Sequence, residues 1–400
     1  MNNDIAQDIS TSAICSIYPL NKLFGEMEIN SPGWHWTNLK LFIIGLNDLR
    51  ARSGTFTTPW NATSPYRCPM PDLSINESRS LNDLMDLRGQ EIYRHACTHN
   101  KKIMVMWSGG IDSTSVIVSL LKAVPTNEQK DRIIICLSPD SVLENLAFYK
   151  NFISTKIPIV HRLTVNFNSE FLRNHILLHG DPGDALFGSS AGKYEALVKE
   201  GKHLLPYRDN VDLLYQCMIP KDTKTFKFPK ESGQWIVDKI VANLDETQPE
   251  RIKTIADWFW WQYVNFKWEG SLWRPFAGTG IRTDFTQPLD EEPVRQYLET
   301  TFFNTDYFQR WSYCNKDNFF PKGIASHKHE IKQYIVDFDH NEAYQNFKVK
   351  TASMGQFAIN GLRKNPLLRP VYFDKNWVGH TLQDPEVHDT VLELLKAYKG

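Results

Sequence analysis

A run of six residues, Ser-Gly-Gly-Ile-Asp-Ser, combines the residue types that bind a phosphate chain and a divalent cation. Gly109 and Gly110 allow the backbone to approach an anion closely, and Ser108 and Ser113 add hydroxyl donors. Asp112 has the wrong charge to bind phosphate and the right charge to hold a metal ion that the phosphates share. The run therefore predicts a pyrophosphate cradle with a built-in metal ligand, and a plain glycine-rich turn is the alternative.

The flanking residues indicate where this loop lies. The apolar run Ile103–Trp107 before it predicts a buried parallel strand, and the apolar spacing of Thr114–Ala123 after it predicts a helix. Between such a strand and helix, unpaired backbone N–H groups and the positive end of the helix dipole converge on an anion. The loop has neither the lysine of a Walker A loop nor the G-x-G-x-x-G pattern of a dinucleotide-binding loop.

A second polar segment, His179–Gly188, follows another apolar run that predicts a strand over 174–178. Its Asp184 offers a second hard oxygen ligand, so Asp112 and Asp184 could hold one Mg²⁺ between them. Asp181 is placed to orient or deprotonate an attacking nucleophile. The alternative is again a simple turn, because Asp, Pro and Gly are favoured turn residues.

Strand and helix patterns alternate between residues 101 and 190, which predicts an α/β fold with a parallel sheet flanked by helices. Both polar segments then lie at the carboxyl ends of strands, where such sheets bind ligands. Leu137 ends the second of these predicted strands and therefore lies at the same edge of the sheet. From about residue 191 the chain is predicted to be mostly helical. Its densely aromatic stretch 257–268 indicates a buried helix, with a pocket wall or an interface as the alternative.

Composition excludes several classes. The apolar share of 42% and the charged share of 23% are those of an ordinary globular protein, and a net charge of −1 gives no general attraction to nucleic acid or membrane. The six cysteines are scattered and form no metal-binding pair, the start lacks a signal-peptide pattern, and no apolar run is long enough to span a bilayer. These features predict a cytoplasmic protein with no membrane partner and make a nucleic-acid partner unfavoured.

Two sequence resemblances narrow the prediction. The loop Ser108–Ser113 resembles the S-G-G-x-D-S loop of the PP-loop, or N-type ATP pyrophosphatase, superfamily. The segment His179–Gly188 resembles the S-G-E-G-x-D-E-x-F-G-G segment of asparagine synthetase and beta-lactam synthetase, with Gly180 and Asp184 on the family's positions. Asp181 stands where that family has a glutamate, and Pro182 stands where it has a glycine.

The resemblance implies an ATP-binding synthetase domain with Mg²⁺ as its metal. The implied ATP and pyrophosphate contacts are Ser108, Gly109, Gly110, Asp112, Ser113, Leu137 and Gly180, and the implied metal ligands are Asp112 and Asp184. The implied catalytic residues are Asp181 and Lys328. Asp181 stands at the position of the family's catalytic glutamate, and Lys328 lies in a helix start comparable to the one whose lysine contacts the reacting oxygens in the family. Arg282 lies in a segment with a faint likeness to the family's G-x-x-x-R-x-P-F-x-D pattern.

The resemblance also implies a boundary. Asparagine synthetases carry an N-terminal glutaminase with a cysteine nucleophile, whereas this chain has Asn2 at that position and too few residues before the loop. The predicted organisation is an N-terminal segment that is not a glutaminase (1–80), a synthetase domain (81–335) and a C-terminal helical extension (336–400). Nitrogen is then expected from ammonia, an amine or a separate glutaminase subunit.

The expected function is therefore an ATP-dependent amide-forming ligase that adenylates a small-molecule carboxylate, releases pyrophosphate and transfers the acyl group to ammonia or an amine. Three rivals stay open at this stage. They are a PP-loop enzyme that adenylates a nucleobase or tRNA carbonyl, a nitrilase-like or thiolation enzyme, and a non-catalytic nucleotide-binding module.

Overall fold

The structure is a computed structural model that describes residues 51–55, 68–161, 164–165, 167–188, 191–218, 230–277, 290–319, 327–342, 370–373 and 379–381. Its first part alternates helices and strands: α1 (Leu81–Thr98), β1 (Lys102–Met106), α2 (Ile111–Ala123), α3 (Gln129–Arg132), β2 (Ile133–Leu137), α4 (Pro139–Glu144), α5 (Leu146–Phe148), a π-helix (Tyr149–Ile153), β3 (Ile159–His161), α6 (Ser169–Asn174), β4 (His175–His179) and α7 (Gly183–Leu186).

The remainder is largely helical: α8 (Ala191–Lys199), 3₁₀ turns (Lys202–Leu204 and Arg208–Asn210), α9 (Val211–Met218), α10 (Lys230–Thr247), α11 (Ile255–Trp261), a π-helix (Gln262–Lys267), α12 (Trp268–Ala277), α13 (Glu291–Thr300), α14 (Asp306–Asn315), a 3₁₀ turn (Lys316–Asn318), α15 (His329–Asp339), and two short strands β5 (Pro370–Phe373) and β6 (Gly379–Thr381).

The strands β1 to β4 form one parallel sheet in the order β3-β2-β1-β4. Four of the five residues of β1 are buried, as expected for a central strand whose apolar side chains face helices on both sides. The prediction of an α/β fold with a parallel, helix-flanked sheet and a mostly helical remainder is confirmed at this level. Strand β3 at the edge of the sheet has three residues, Ile159–His161.

The strand order creates a crevice between β1 and β4. After β1 the chain adds β2 and then β3 on one side, and it later returns to place β4 on the other side of β1. In a parallel sheet, the loops that follow two such strands diverge and leave room for a ligand at their carboxyl ends. The residues after β1 and β4 are the two polar segments that the sequence singled out.

The first helix of the described core has clear sequence signals and packs closely on α2. Ser80 and Asp83 form a capping box at the N-terminus of α1, each side chain bonding to the other residue's backbone N–H. Gly89 in α1 leaves room for Ser119, because a Cβ on this glycine would lie 2.6 Å from the Ser119 carbonyl oxygen. Helix α15 packs on both helices and closes this side of the sheet.

The aromatic stretch is core. Trp258, Phe259, Trp260 and Trp261 are each at most 2% exposed, which confirms the interpretation as a buried helix. Its second half forms a π-helix, which the sequence did not predict, and this π-helix contacts α7 at the carboxyl end of β4. The stretch therefore lies directly behind one of the two polar segments.

The domain boundaries stay predictions. Most of the N-terminal segment 1–80 lies outside the described residues. Within the predicted helical extension 336–400, the structure describes the end of α15 and the antiparallel pair β5 and β6. The β-branched and aromatic residues of β5 favour a strand there.

No helix among the described residues is both long and apolar enough to cross a membrane. The five cysteines in the described ranges form no disulfide, and Cys136 is buried in β2 as expected.

Candidate functional site

The loop after β1 is shaped by one glycine in a left-handed conformation. Gly109 has φ +78°, and a Cβ on it would lie only 2.1 Å from the Ser141 carbonyl oxygen in the segment that follows β2. Only glycine fits this combination of backbone angle and close approach. Gly110 then caps the N-terminus of α2, so the loop meets the helix start as predicted.

The two serines of this loop bond to the loop itself. The Ser113 hydroxyl lies 3.2 Å from the Gly110 carbonyl oxygen and accepts from the Ser108 N–H at 3.1 Å. Since a carbonyl only accepts, Ser113 donates to it, and the Ser108 hydroxyl then donates to Ser113 Oγ at 3.0 Å. The Gly110 N–H in turn points to Ser108 Oγ at 3.2 Å. The hydroxyl donors that the sequence assigned to phosphate therefore brace the loop in this structure.

The loop after β4 lies directly against the first loop. A Cβ on Gly180 would lie 2.7 Å from the Ser113 backbone nitrogen and 3.0 Å from the Asp112 Cβ. A Cβ on Gly183 would lie 3.1 Å from the Asp112 Cβ and Cγ. The second loop thus approaches the first loop most closely at these two glycines. The residue that both of them face is Asp112, in the first turn of α2.

Three charged side chains meet where these loops face α15. The Lys328 ammonium lies 2.7 Å from both carboxylate oxygens of Asp112 and 2.5 Å from Oδ1 of Asp184. The Lys328 side chain is 5% exposed, whereas those of Asp112 and Asp184 are 18% and 51% exposed. We call these three residues the carboxylate–lysine cluster. The structure therefore brings together the predicted metal ligands and the predicted catalytic lysine.

The two carboxylates of the cluster stabilise the charged form of the lysine. Burial by itself lowers the pKa of Lys328, but the nearby charges of Asp112 and Asp184 outweigh it and hold that pKa well above its ordinary value. The ammonium also lies 5.7 Å from the centre of the Phe187 ring, whose face attracts a cation. Lys328 is consequently protonated at every pH at which the protein is expected to work.

The position of Lys328 is defined by its own backbone conformation and by a hydrogen bond from the neighbouring His327. It is the N-cap residue of α15 and has a left-handed backbone, with φ +60°. The neighbouring His327 lies 2.8 Å through Nε2 from the Phe187 carbonyl oxygen, so Nε2 carries the proton and donates it. Burial, with the Lys328 charge as a smaller cause, lowers the pKa of His327 to about 4. A neutral histidine thus ties the start of α15 to the second loop.

Asp181 is anchored through its backbone. Its N–H donates to Nδ1 of the buried His179 at 3.2 Å, so the His179 proton lies on Nε2 and is donated to the Tyr297 hydroxyl at 2.7 Å. The Tyr297 hydroxyl in turn donates to the Leu272 carbonyl oxygen. This chain of hydrogen bonds holds the turn at Asp181 from beneath, and the sequence contained no local signal for it because its members are distant in the chain.

Two further residues lie close to the first loop or at the end of β2. Leu137 is fully buried, so its side chain belongs to the core, and its role as an ATP contact stays a prediction. Glu144, which the sequence did not single out, is 8% exposed and lies over the first loop, with Oε1 3.1 Å from the position of a Cβ on Gly110. Arg282 lies outside the described residues.

The cluster suits a divalent cation in donor type but not in number. Two carboxylates converge on one point, and carboxylate oxygens are the ligands that Mg²⁺ prefers. No group of three or more metal-binding side chains occurs in the described part of the chain, so a divalent ion at this point would need further ligands from outside the protein. In this structure the Lys328 ammonium lies at the point of convergence.

Comparison with known proteins yields no relative: no protein-family model, no curated protein and no solved structure matches this chain.

Proposed function

We propose that this protein is an ATP-dependent carbon–nitrogen ligase of the PP-loop type, similar to the synthetase domain of asparagine synthetase. The observation that carries the proposal is the meeting of Asp112, Asp184 and Lys328 at the carboxyl ends of β1 and β4. Asp112 and Asp184 are distant in sequence, and both follow neighbouring strands at the sheet edge where parallel sheets commonly bind ligands, which supports the proposal. The match between these positions and the two sequence motifs supports the proposal further.

The charges around the first loop suggest the direction of the nucleotide. On the β2 side, the Glu144 carboxylate lies over Gly110 and disfavours phosphate. On the β4 side, Lys328 offers a buried ammonium that attracts it. A nucleotide across the loop is therefore expected to place its ribose and adenine toward β2 and its phosphates toward the carboxylate–lysine cluster.

The proposed first step is attack on the α-phosphorus. A carboxylate oxygen of the substrate bonds to the α-phosphorus as the bond to the bridging oxygen breaks, and pyrophosphate leaves with that electron pair. Lys328 stabilises the negative charge that builds up on the phosphate oxygens. Asp112 and Asp184 would hold a Mg²⁺ ion, which would supply further charge neutralisation for the leaving pyrophosphate. Positioning and charge stabilisation supply most of the acceleration in such a reaction.

In the proposed second step a nitrogen nucleophile attacks the acyl carbon, and AMP leaves. Asp181 receives the proton that the nitrogen loses, and its position is set by the hydrogen bond from its N–H to His179. The carboxylate of Asp181 is one methylene shorter than the glutamate of the asparagine synthetases. This difference favours a substrate that reaches further into the site than aspartate and ammonia do.

The test is ATP-dependent release of pyrophosphate over a panel of carboxylic acids, each with ammonia or an amine. Asp112→Asn is expected to abolish release, since it removes one charge from the point where cations are held. Asp86→Asn is the matched control, because Asp86 in α1 also pairs with a lysine, Lys122 in the last turn of α2, outside the site. It is expected to keep full activity.

Other outcomes assign the alternatives. Binding of ATP without pyrophosphate release by any acid would indicate a non-catalytic nucleotide-binding module. Pyrophosphate release that requires a nucleobase or a tRNA would indicate the other class of PP-loop enzyme. Full activity in Asp112→Asn would refute the assignment of the site.

A further inference from the structure

The Lys328 ammonium occupies the position at which a cation shared by Asp112 and Asp184 is expected. It is within 2.7 Å of both carboxylate oxygens of Asp112 and 2.5 Å from Asp184. Two cations cannot occupy one point, because their repulsion at such distances is strong wherever water is partly excluded. A divalent ion can therefore use both carboxylates only if the ammonium moves away.

Moving the ammonium without a new partner is unfavourable. Lys328 is almost completely buried, and its charge is compensated by the two carboxylates and by the face of Phe187. Leaving a buried charge without a counter-ion costs several kcal/mol. The metal ion alone brings no anion that the ammonium could bind instead. In the absence of a nucleotide, the carboxylate–lysine cluster is therefore expected to bind the metal ion weakly.

A nucleotide changes this balance on both sides. Its phosphates give the ammonium a new anionic partner, and their oxygens complete the metal coordination that two carboxylates leave unfinished. The backbone of Lys328 need not move, since the bond from His327 to the Phe187 carbonyl holds the start of α15 on the second loop. Only the flexible four-carbon side chain has to swing.

We propose that Lys328 is an exchangeable counter-cation, which holds the two carboxylates in place in the free protein and yields to the divalent ion only when nucleotide phosphates arrive. The metal then enters as its nucleotide complex and not as the free ion. This inference rests on the proposed function, because it takes the ligand to be a nucleoside triphosphate.

The experiment uses Mn²⁺ in place of Mg²⁺ and measures the enhancement of water-proton relaxation, which detects Mn²⁺ immobilised on the protein. The full-length protein is titrated with Mn²⁺ alone and with a saturating α,β-methylene analogue of ATP. The variants are Lys328→Met and, as the matched control, Lys332→Met, which removes another partly buried lysine one turn further along α15. Circular dichroism and thermal unfolding verify that each variant is folded.

We expect Lys328→Met to bind Mn²⁺ alone at least about tenfold more tightly than the wild type, because a repelling cation is gone from the site. The control is expected to match the wild type, and the wild type is expected to gain a comparable affinity when the analogue is present. A folded Lys328→Met with unchanged Mn²⁺ affinity would overturn the inference.

Two further arms keep the result decisive. If Lys328→Met does not fold, Lys328→Gln is used, which keeps hydrogen bonding to the carboxylates without the charge and carries the same expectation. In the wild type alone, equal Mn²⁺ affinity with and without the bound analogue would also overturn the inference. Failure of the wild type to bind the analogue would instead refute the proposed function, and tighter Mn²⁺ binding by Lys328→Met would then still support the counter-cation role.

Discussion

The contact between the two loops can be tested at a single glycine. Gly180 lies where a Cβ would be 2.7 Å from the Ser113 nitrogen and 3.0 Å from the Asp112 carbonyl carbon. Both neighbours belong to the backbone of the first turn of α2, so no flexible side chain can give way. In Gly180→Ala the loops must separate by about 0.7 Å to restore an ordinary contact of 3.4 Å.

The expected losses follow from that displacement. Overpacking of this kind costs about 1–3 kcal/mol of folding free energy, which lowers Tm by a few degrees in a chain of this size. The effect on catalysis is expected to be larger. A displacement approaching 1 Å between reacting groups lowers rates by about 100-fold. Gly180→Ala is therefore predicted to fold and to lose up to about two orders of magnitude in pyrophosphate release.

A matched control separates stability from geometry. Gly201 lies outside the site, and nothing lies within 4 Å of the position of its Cβ; unlike Gly180, it has a left-handed backbone, with φ +71°. Gly201→Ala is predicted to cost about 1–2 kcal/mol in backbone strain and to keep wild-type activity. Thermal unfolding and the pyrophosphate assay are run on both variants. Wild-type activity in a folded Gly180→Ala would refute the close approach of the loops, and with it the site.

Two further predictions concern stability. Lys316 and Asp257 form a buried ion pair at 2.7 Å. Lys316→Met is expected to lower the free energy of unfolding in urea by about 3–5 kcal/mol, because the Asp257 carboxylate keeps its bonds from the Lys253 and Thr254 N–H groups but loses its counter-ion, and a loss below about 1 kcal/mol would contradict this. His327 has a pKa of about 4 in the folded protein and about 6.5 when unfolded, so the unfolded chain binds the proton first as the pH falls. The free energy of unfolding should therefore fall from pH 6.5 toward pH 4, and His327→Gln should flatten that slope; an unchanged slope would show that other groups cause it.

Local sequence patterns predicted the parts of the site that are contiguous in the chain. The apolar run of β1 and the glycine-rich loop after it are short-range signals, and the same holds for β4 and the turn that follows it. Both loops are found at the carboxyl ends of strands because local patterning decides where strands end. The strand order was not predictable in this way, since it depends on which strands pair across long stretches of chain.

Local patterns did not reveal the contacts that only tertiary structure creates. The Ser108 and Ser113 hydroxyls bond within the loop because nearby acceptors compete for them, and a motif does not reveal this competition. Glu144 lies over Gly110 because the segment after β2 folds back onto the first loop. Lys328 was predicted from a resemblance alone. It is 216 residues from Asp112, so no spacing rule could have placed it there.

The aromatic stretch connects the core to the site. The Trp260 indole N–H donates to the Ser312 hydroxyl at 2.7 Å, and that hydroxyl donates to the Leu186 carbonyl oxygen at the end of α7. Helix α7 is only four residues long and carries Asp184 in its first turn, so it has too few hydrogen bonds of its own to fix that carboxylate. The buried aromatic helix and α14 supply the missing support from behind. A helical remainder of this size is therefore not merely a cover for the sheet, because it holds one of the two carboxylates in place against its counter-cation.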